Sequence, residues 1–285
     1  MKLNLHPYIL NENRKDKPQK TERLDRMSRC KITVLGSSSG MPSPSRFCSS
    51  LFFQTERLNL LLDCGEGVSF SLVRNRIDPE LIDSIFISHS HVDHLGGLFL
   101  LVQMMHLLQR RTPLNVYLPE EAISGVKNFL QTCYLFPEKI TPKLTLHPVT
   151  SNFKFQDEEI NIKAYPNRHL LGNQGVIDEL RLPNKMQSFC FLLNLSDRKI
   201  VYSGDIESSE DLVDIIQDAD ILITECFHPR LEKLIPLMLE KRVKSAIFTH
   251  IPPELEGKEK EILQEAKKMG FEKLVVAYDG LVIDI

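Results

Sequence analysis

The stretch His89-Ser90-His91-Val92-Asp93-His94 stands just after the apolar run Ser84-Ile85-Phe86-Ile87. A β-branched and aromatic run of that kind, following the break at Asp83, predicts a buried strand, with the six polar residues on the loop where the strand ends. Three imidazoles and a carboxylate so close together have no easy place in an ordinary core. Neutral imidazole nitrogens and carboxylate oxygens are good ligands for zinc and similar divalent ions. On a tight loop His89 and His91 project one way while Asp93 and His94 turn aside, so one segment can serve two neighbouring metals. A solvated polar loop is the ordinary reading of a lone histidine. It does not account for H-x-H-x-D-H behind a strand.

Working outward, the same event recurs. Strands are predicted at 31–35, 49–54 and 58–62 before the histidines, and at 114–118, 144–149, 153–155 and 160–165 after them. Further strands fall at 187–195, 199–203, 220–224, 245–249, 273–277 and 281–284, with helices at 68–75, 97–110, 119–135, 208–217, 231–240 and 258–269. Helices interleaved with strands, around a strand-rich middle, imply an α/β protein with mixed sheets. We expect two sheets face to face with helices outside, a four-layer αββα sandwich. No linker-like stretch divides the chain, so 30–285 reads as one domain behind a flexible leader over 1–29. In the leader, Tyr8-Ile9-Leu10 is a small docking candidate, and the basic run from Arg14 to Arg29 reads as a solvated tail.

His169, Asp205 and His250 each fall at the end of one of these strands, as the His89–His94 segment does. Side chains at such ends converge along one rim. Two ligand sets then assemble: His89, His91 and His169 for one metal; Asp93, His94 and His250 for the other. Asp205 bridges them, because a carboxylate has two oxygens and two cations need neutralising. Each metal keeps an open position, the mark of a catalytic site. Two ions about 3.5–4 Å apart can share a hydroxide that is nucleophilic at neutral pH. The expected chemistry is hydrolysis. Asp63, at the end of 58–62 in Asp63-Cys64-Gly65-Glu66-Gly67, suits a carboxylate that orients a metal-bound histidine, more so than Glu66; the alternative is a helix cap. Ser37 to Arg46 reads as a rim loop and not as a phosphate cradle, since it lacks the Lys-Ser/Thr of a Walker sequence. His106, inside an apolar run, reads as a packed core histidine.

Composition narrows the partners. A formal charge of −3 gives no global footprint for nucleic acid, so a polyanionic substrate would need a local basic patch. The six cysteines are scattered without a C-x-x-C pair, which suits free thiols in a reducing, cytoplasmic compartment. The longest apolar stretch, Leu95 to Leu108, is broken by Gln103 and His106 and is too short to span a bilayer. It reads first as a core helix and second as an interface.

V-L-G-S-S-S-G-M-P at 34–42, L-L-D-C-G-E-G at 61–67, H-S-H-V-D-H at 89–94, S-G-D at 203–205 and F-T-H at 248–250 resemble the metallo-β-lactamase superfamily, above all its ribonuclease Z and phosphodiesterase branch. The resemblance covers 31–285. It implies the αββα fold, two divalent ions (zinc, with manganese as the alternative) and hydrolysis of a phosphodiester such as an RNA 3′ end. Branch members are often homodimers. The same resemblance makes Glu225 one half of a proton-relay pair, and His228 is the only nearby histidine to complete it. His228 is then either the general acid or a solvated loop residue. Asp93, Glu225 and His228 form the candidate catalytic set, with Asp93 doubling as a ligand. One departure concerns the substrate: the bacterial enzymes carry a long RNA-gripping arm between the third histidine and the bridging aspartate, where this chain has only 36 residues from His169 to Asp205. A small cyclic phosphate thus stands beside RNA as the expected substrate. A mononuclear-iron oxidoreductase and a thioester hydrolase are the alternatives on the same fold.

Overall fold

The run before the histidines is a strand, Ser84–Phe86, buried along its whole length. Its neighbours show why the chain folds in layers. The computed structural model describes residues 30–285 apart from 42, 196 and 227, so the leader over 1–29 lies outside the described residues. In chain order the first strands are β1 (Lys31–Gly36), β2 (Ser50–Gln54), β3 (Asn59–Leu62), β4 (Ser84–Phe86), β5 (Leu114–Pro119) and β6 (Leu144–Val149). There follow β7 (Lys154–Gln156), β8 (Ile160–Pro166), β9 (Phe189–Leu195), β10 (Arg198–Tyr202), β11 (Ile221–Glu225), β12 (Ala246–Thr249), β13 (Leu274–Val276) and β14 (Val282–Asp284).

These strands form two seven-stranded sheets, ordered β14-β1-β2-β3-β4-β5-β6 and β13-β12-β11-β10-β9-β8-β7. Each sheet is antiparallel at one end and parallel at the other, with β3 to β6 parallel in the first and β10 to β13 parallel in the second. The sequence carries that division. Parallel strands are covered on both faces, and β11 is accordingly buried at every residue. β8, in the antiparallel part, alternates buried Ile160, Ile162 and Ala164 with exposed Asn161 and Lys163.

Between the sheets, Val34, Phe53 and Leu62 meet Phe191, Leu193 and Ile223. The Phe86 ring stacks on Tyr117 at 4.6 Å and meets Phe191 edge-on at 5.9 Å. Each such buried side chain contributes about 1.5–3 kcal/mol. Outside the first sheet lie α1 (Val68–Arg74), the short α2 (Val92–Leu95), α3 (Leu98–Leu107) and α4 (Ala122–Thr132). Leu72, Leu101, Met105 and Val126 from these helices pack on Leu61, Ile85 and Val116. The second half adds α5 (Gln174–Leu180), α6 (Leu231–Glu240) and α7 (Glu259–Lys268). Leu234, Met238 and Ile262 cover Val201, Leu222 and Phe248. The result is the four-layer sandwich the pattern implies.

Three local expectations differ. Helical structure starts at Val92, inside the histidine segment, so Asp93 and His94 stand on a helical turn and not on an open loop. The helix expected over 208–217 is only a 3₁₀ turn, Ser209–Leu212. There the Ser208 hydroxyl accepts from Glu210 N and the Asp211 carboxylate accepts from Glu207 N, local bonds that compete with a helix. Conversely α5, with the 3₁₀ turn Leu171–Asn173 before it, was not expected. It buries no residue and so leaves no apolar periodicity to read. α3 is a core helix through Leu98, Leu101, Val102 and Met105, and His106 accepts a bond from Thr141 N at 3.2 Å.

Candidate metal centre

Asp93 and His94 stand on α2, and the other candidate residues follow the ends of strands. β3 leads to Asp63, β4 to His89, β8 to His169, β10 to Asp205 and β12 to His250, while Glu225 is the last residue of β11. Because β3 and β4 are parallel, as are β10, β11 and β12, these ends share a rim. The bond from Phe189 N to Ser88 O, 3.0 Å, joins the rim across the two sheets. Close backbone approach then presses the D-C-G-E-G and H-V-D-H-L-G-G segments together. Cys64 N donates to His94 O at 2.8 Å and Gly97 N to Cys64 O at 2.9 Å. A Cβ on Gly65 would sit 2.2 Å from Asp93 O, so glycine is required there.

The structure brings together three groups sharing Asp205. One holds His89, His91, His169 and Asp205, a second holds Asp93, His94, Asp205 and His250, and the third holds Asp205, Glu225 and His228; in each group the ligand atoms lie within 4.8 Å of one another. Asp205 Oδ1 lies 3.1 Å from His94 Nε2, and Oδ2 lies 3.2 Å from His250 Nε2 and 3.6 Å from His169 Nε2. His169 Nε2 is 3.1 Å from His91 Nδ1, and Asp93 Oδ2 is 3.2 Å from His250 Nε2. Whether metal fits can be tested on the buried atoms. His89 Nε2 is buried without a hydrogen-bond partner, and His94 Nε2 and Asp205 Oδ1, buried 3.1 Å apart, make no well-formed hydrogen bond. Orphaned polar atoms cost about 1–3 kcal/mol each, and these belong to the converging ligands. A divalent cation among these ligands would satisfy them, so the residues fit a metal.

The electrostatics agree with a cation site. Burial would raise the Asp205 carboxyl, but His250 and His94 outweigh it and hold it well below the carboxylate range. Asp93 is likewise held low by His250 and His94 against its burial. Burial pushes His89 down and takes His169 to about 4, so both offer neutral imidazoles.

Asp63 is fully buried and holds the centre from behind. Its Oδ1 accepts from Ser88 N at 2.6 Å. Its Oδ2 lies 2.6 Å from His94 Nδ1 and accepts from Ser88 Oγ at 2.8 Å and from Tyr202 Oη at 2.5 Å. The Ser88 hydroxyl also meets His89 Nδ1 at 3.0 Å. One carboxylate thus turns the Nε2 atoms of both His94 and His89 toward the ligand side, and it does not cap a helix. Ser88 and Tyr202 went unread in the sequence. Their one signal is adjacency, Ser88 before His89 and Tyr202 opening Y-S-G-D. Asp63→Ala is expected to strand His94 Nδ1 and the Tyr202 hydroxyl, lowering metal affinity about 10–100-fold. Thermal unfolding and chelator competition would measure it, and unchanged affinity would refute the orienting role.

Glu225 is 1 % exposed. Its Oε1 accepts from Ile206 N at 2.7 Å, bracing the loop after Asp205, and its Oε2 accepts from His228 N at 3.1 Å and lies 2.6 Å from His228 Nδ1. The His228 ring stands 5.1 Å from that of His169. Gly40 of the rim loop packs near the Asp93 carboxylate, where a Cβ would lie 3.4 Å from Oδ2. Glu66 is exposed and takes no part through its side chain.

Fold and site together define a metal-dependent hydrolase of the metallo-β-lactamase fold, ribonuclease Z-like in kind. Within that class a family model described as Anti-Pycsar protein Apyc1 matches residues 30–276, and the chain belongs to this family. Ribonuclease Z of Saccharolobus solfataricus is 27% identical over 268 residues, covering 79% of this chain and 89% of its own. The metallo-β-lactamase fold protein YhfI of Bacillus subtilis superposes with a TM-score of 0.70 at 21% identity, over 91% of this chain and 100% of YhfI. The short form of human tRNase Z gives 0.68 at 22% identity, over 89% of this chain and 98% of its own.

Proposed function

We propose that this chain is a dinuclear-metal phosphodiesterase acting on a small cyclic phosphate. The observation that carries the reading is Asp205, whose two oxygens face histidines of two separate sets. His89, His91 and His169 would hold one ion, Asp93, His94 and His250 the other, and Asp205 both. Zinc is the first candidate for such nitrogen-rich sets, with manganese second. Such ions, when bound, would supply Lewis acidity and a water acidified for attack on phosphorus.

The protein's own groups do the rest. Asp63 keeps the His94 and His89 rings oriented through turnover. Glu225 holds the His228 imidazole by Nδ1 and raises its pKa above the ordinary value, which favours a proton on the ring. That proton goes to the leaving oxygen, which makes His228 the general acid. Asp93, held ionised, stays an acceptor and ligand.

The substrate reading is supported by the segment between His169 and Asp205. In place of an arm its described residues hold the turn Leu171–Asn173, α5, β9 and β10. RNA is the competing substrate, supported by the relatives named ribonuclease Z. Residues 30–285 act as one hydrolase domain in this reading. A cytoplasmic setting is supported by six free cysteines, and among the described residues no helix is long and apolar enough to cross a membrane. Homodimer formation belongs to the same proposal, supported by exposed Phe70 and Val73 on α1 and Leu100 and Leu107 on α3.

Elemental analysis and turnover on one preparation test the function. We expect about two zinc or manganese ions per chain. Chelation should abolish hydrolysis of bis(p-nitrophenyl) phosphate and of cyclic mononucleotides, and added metal should restore it. Faster cleavage of a precursor-tRNA 3′ end, steeply weakened by salt, would shift the assignment to RNA. One iron per chain without hydrolysis would overturn it for an oxidoreductase.

A further inference from the structure

His169 and Asp205 follow β8 and β10, which are not neighbours. β9 runs between them, antiparallel to both. Their ends therefore stand about two strand spacings apart, roughly 10 Å, and the sheet ladder has no bond that joins them directly. Asn167 spans this gap. Its side-chain Oδ1 accepts from His169 N at 3.1 Å, and its Nδ2 donates to Asp205 O at 2.9 Å. The same Nδ2 lies 3.6 Å from Cys190 Sγ on β9, and Asn167 N donates to Ser188 O at 3.0 Å. The residue is buried, so both ends of the carboxamide are spent on these bonds.

We infer that Asn167 is a positioning residue for the ligand set His89, His91, His169 and Asp205, tying the His169 loop to the Asp205 loop across β9. The inference rests on the reading of this rim as a metal centre. A carboxamide alone suits the position. It offers an acceptor to His169 N and a donor to the Asp205 carbonyl, whereas aspartate would set oxygen against oxygen beside Asp205 and alanine would leave both partners unpaired. The set containing His94 and His250 shares Asp205 but loses only that one tie, since Asp63 orients His94 from β3, whereas the His169 set loses its ties to both His169 and Asp205. Loss of the Asn167 clamp should therefore fall on one ion more than on the other.

The test is zinc affinity by competition with a chromogenic chelator. Wild type, Asn167→Ala, Asn167→Asp and the control Asn59→Ala are compared, each with its Tm. Asn59 bonds Leu81 O at 3.0 Å from the far end of β3. We expect both Asn167 variants to weaken one of the two ions about 10–100-fold while the other holds, with neither ion changed in Asn59→Ala. Equal loss for both ions, or loss that tracks Tm in the control as well, overturns the inference; so does unchanged affinity. Should Asn167→Ala not fold, the near-isosteric Asn167→Asp decides alone, because it keeps the bond to His169 N. A wild type that takes up no divalent ion removes the metal-centre reading itself. A wild type with two ions and unaffected variants removes only the role of Asn167.

Discussion

Replacing Asp205 by alanine is expected to abolish turnover in a chain that still folds. The side chain is 3 % exposed and faces three imidazoles, at 3.1 Å, 3.2 Å and 3.6 Å, drawn from both ligand sets. Held well below the carboxylate range by His250 and His94 against its own burial, it is ionised throughout the working pH range. Without it, two cations would share a single remaining carboxylate, Asp93, and elemental analysis should find one ion per chain or fewer. Losing several kcal/mol of transition-state charge stabilisation lowers kcat by about 10³-fold or more. Folding should persist because the apolar layers lie elsewhere, in the clusters between and outside the sheets. Circular dichroism and Tm check that point. Asp205→Asn, which keeps the shape and removes the charge, should lose as much activity. An Asp205→Ala enzyme with appreciable turnover would sink the two-metal mechanism.

Much of this candidate site is legible in residue types, for a physical reason. Ligands need particular atoms, so histidine and aspartate at strand ends stand out against apolar runs; His169 and His250 became legible only in company with 89–94. The sandwich was legible for a similar reason. Parallel strands such as Ile221–Glu225 are apolar throughout, and β8 alternates. What stayed hidden depends on three-dimensional neighbours. Tyr202 reads as one more apolar strand residue until its hydroxyl meets Asp63, 139 positions away. Asn167 reads as a turn residue until its two ends find His169 and Asp205. The helix α5 has no buried face to announce it, and the helix expected after Ser208 gave way to local side-chain bonds. Ligand chemistry is written in residue types. The bonds that aim those ligands are written in contacts.

Replacing His228 by alanine should separate bond-breaking from leaving-group protonation. Glu225 is fixed through both oxygens, one on Ile206 N and one on His228, so the imidazole is oriented by a buried carboxylate and not by solvent. That bond engages Nδ1 and fixes the orientation of the ring. On a cyclic mononucleotide the departing oxygen is a poor alkoxide leaving group, and loss of the acid should cost about 10²–10³-fold in kcat. On bis(p-nitrophenyl) phosphate the departing phenolate is stable unprotonated, so the same variant should run close to wild type. The pH profile gives an independent check. The hydrogen bond that His228 donates to Glu225 raises the His228 pKa above its ordinary value, so the protonated acid persists to higher pH and the rate on the cyclic substrate falls only as pH passes that raised value. In Glu225→Gln the falling limb should move to lower pH, because the carboxylate that favoured the imidazolium is gone. Equal losses on both substrates would mean that His228 acts on something other than the leaving group, and unchanged rates would retire it as the acid.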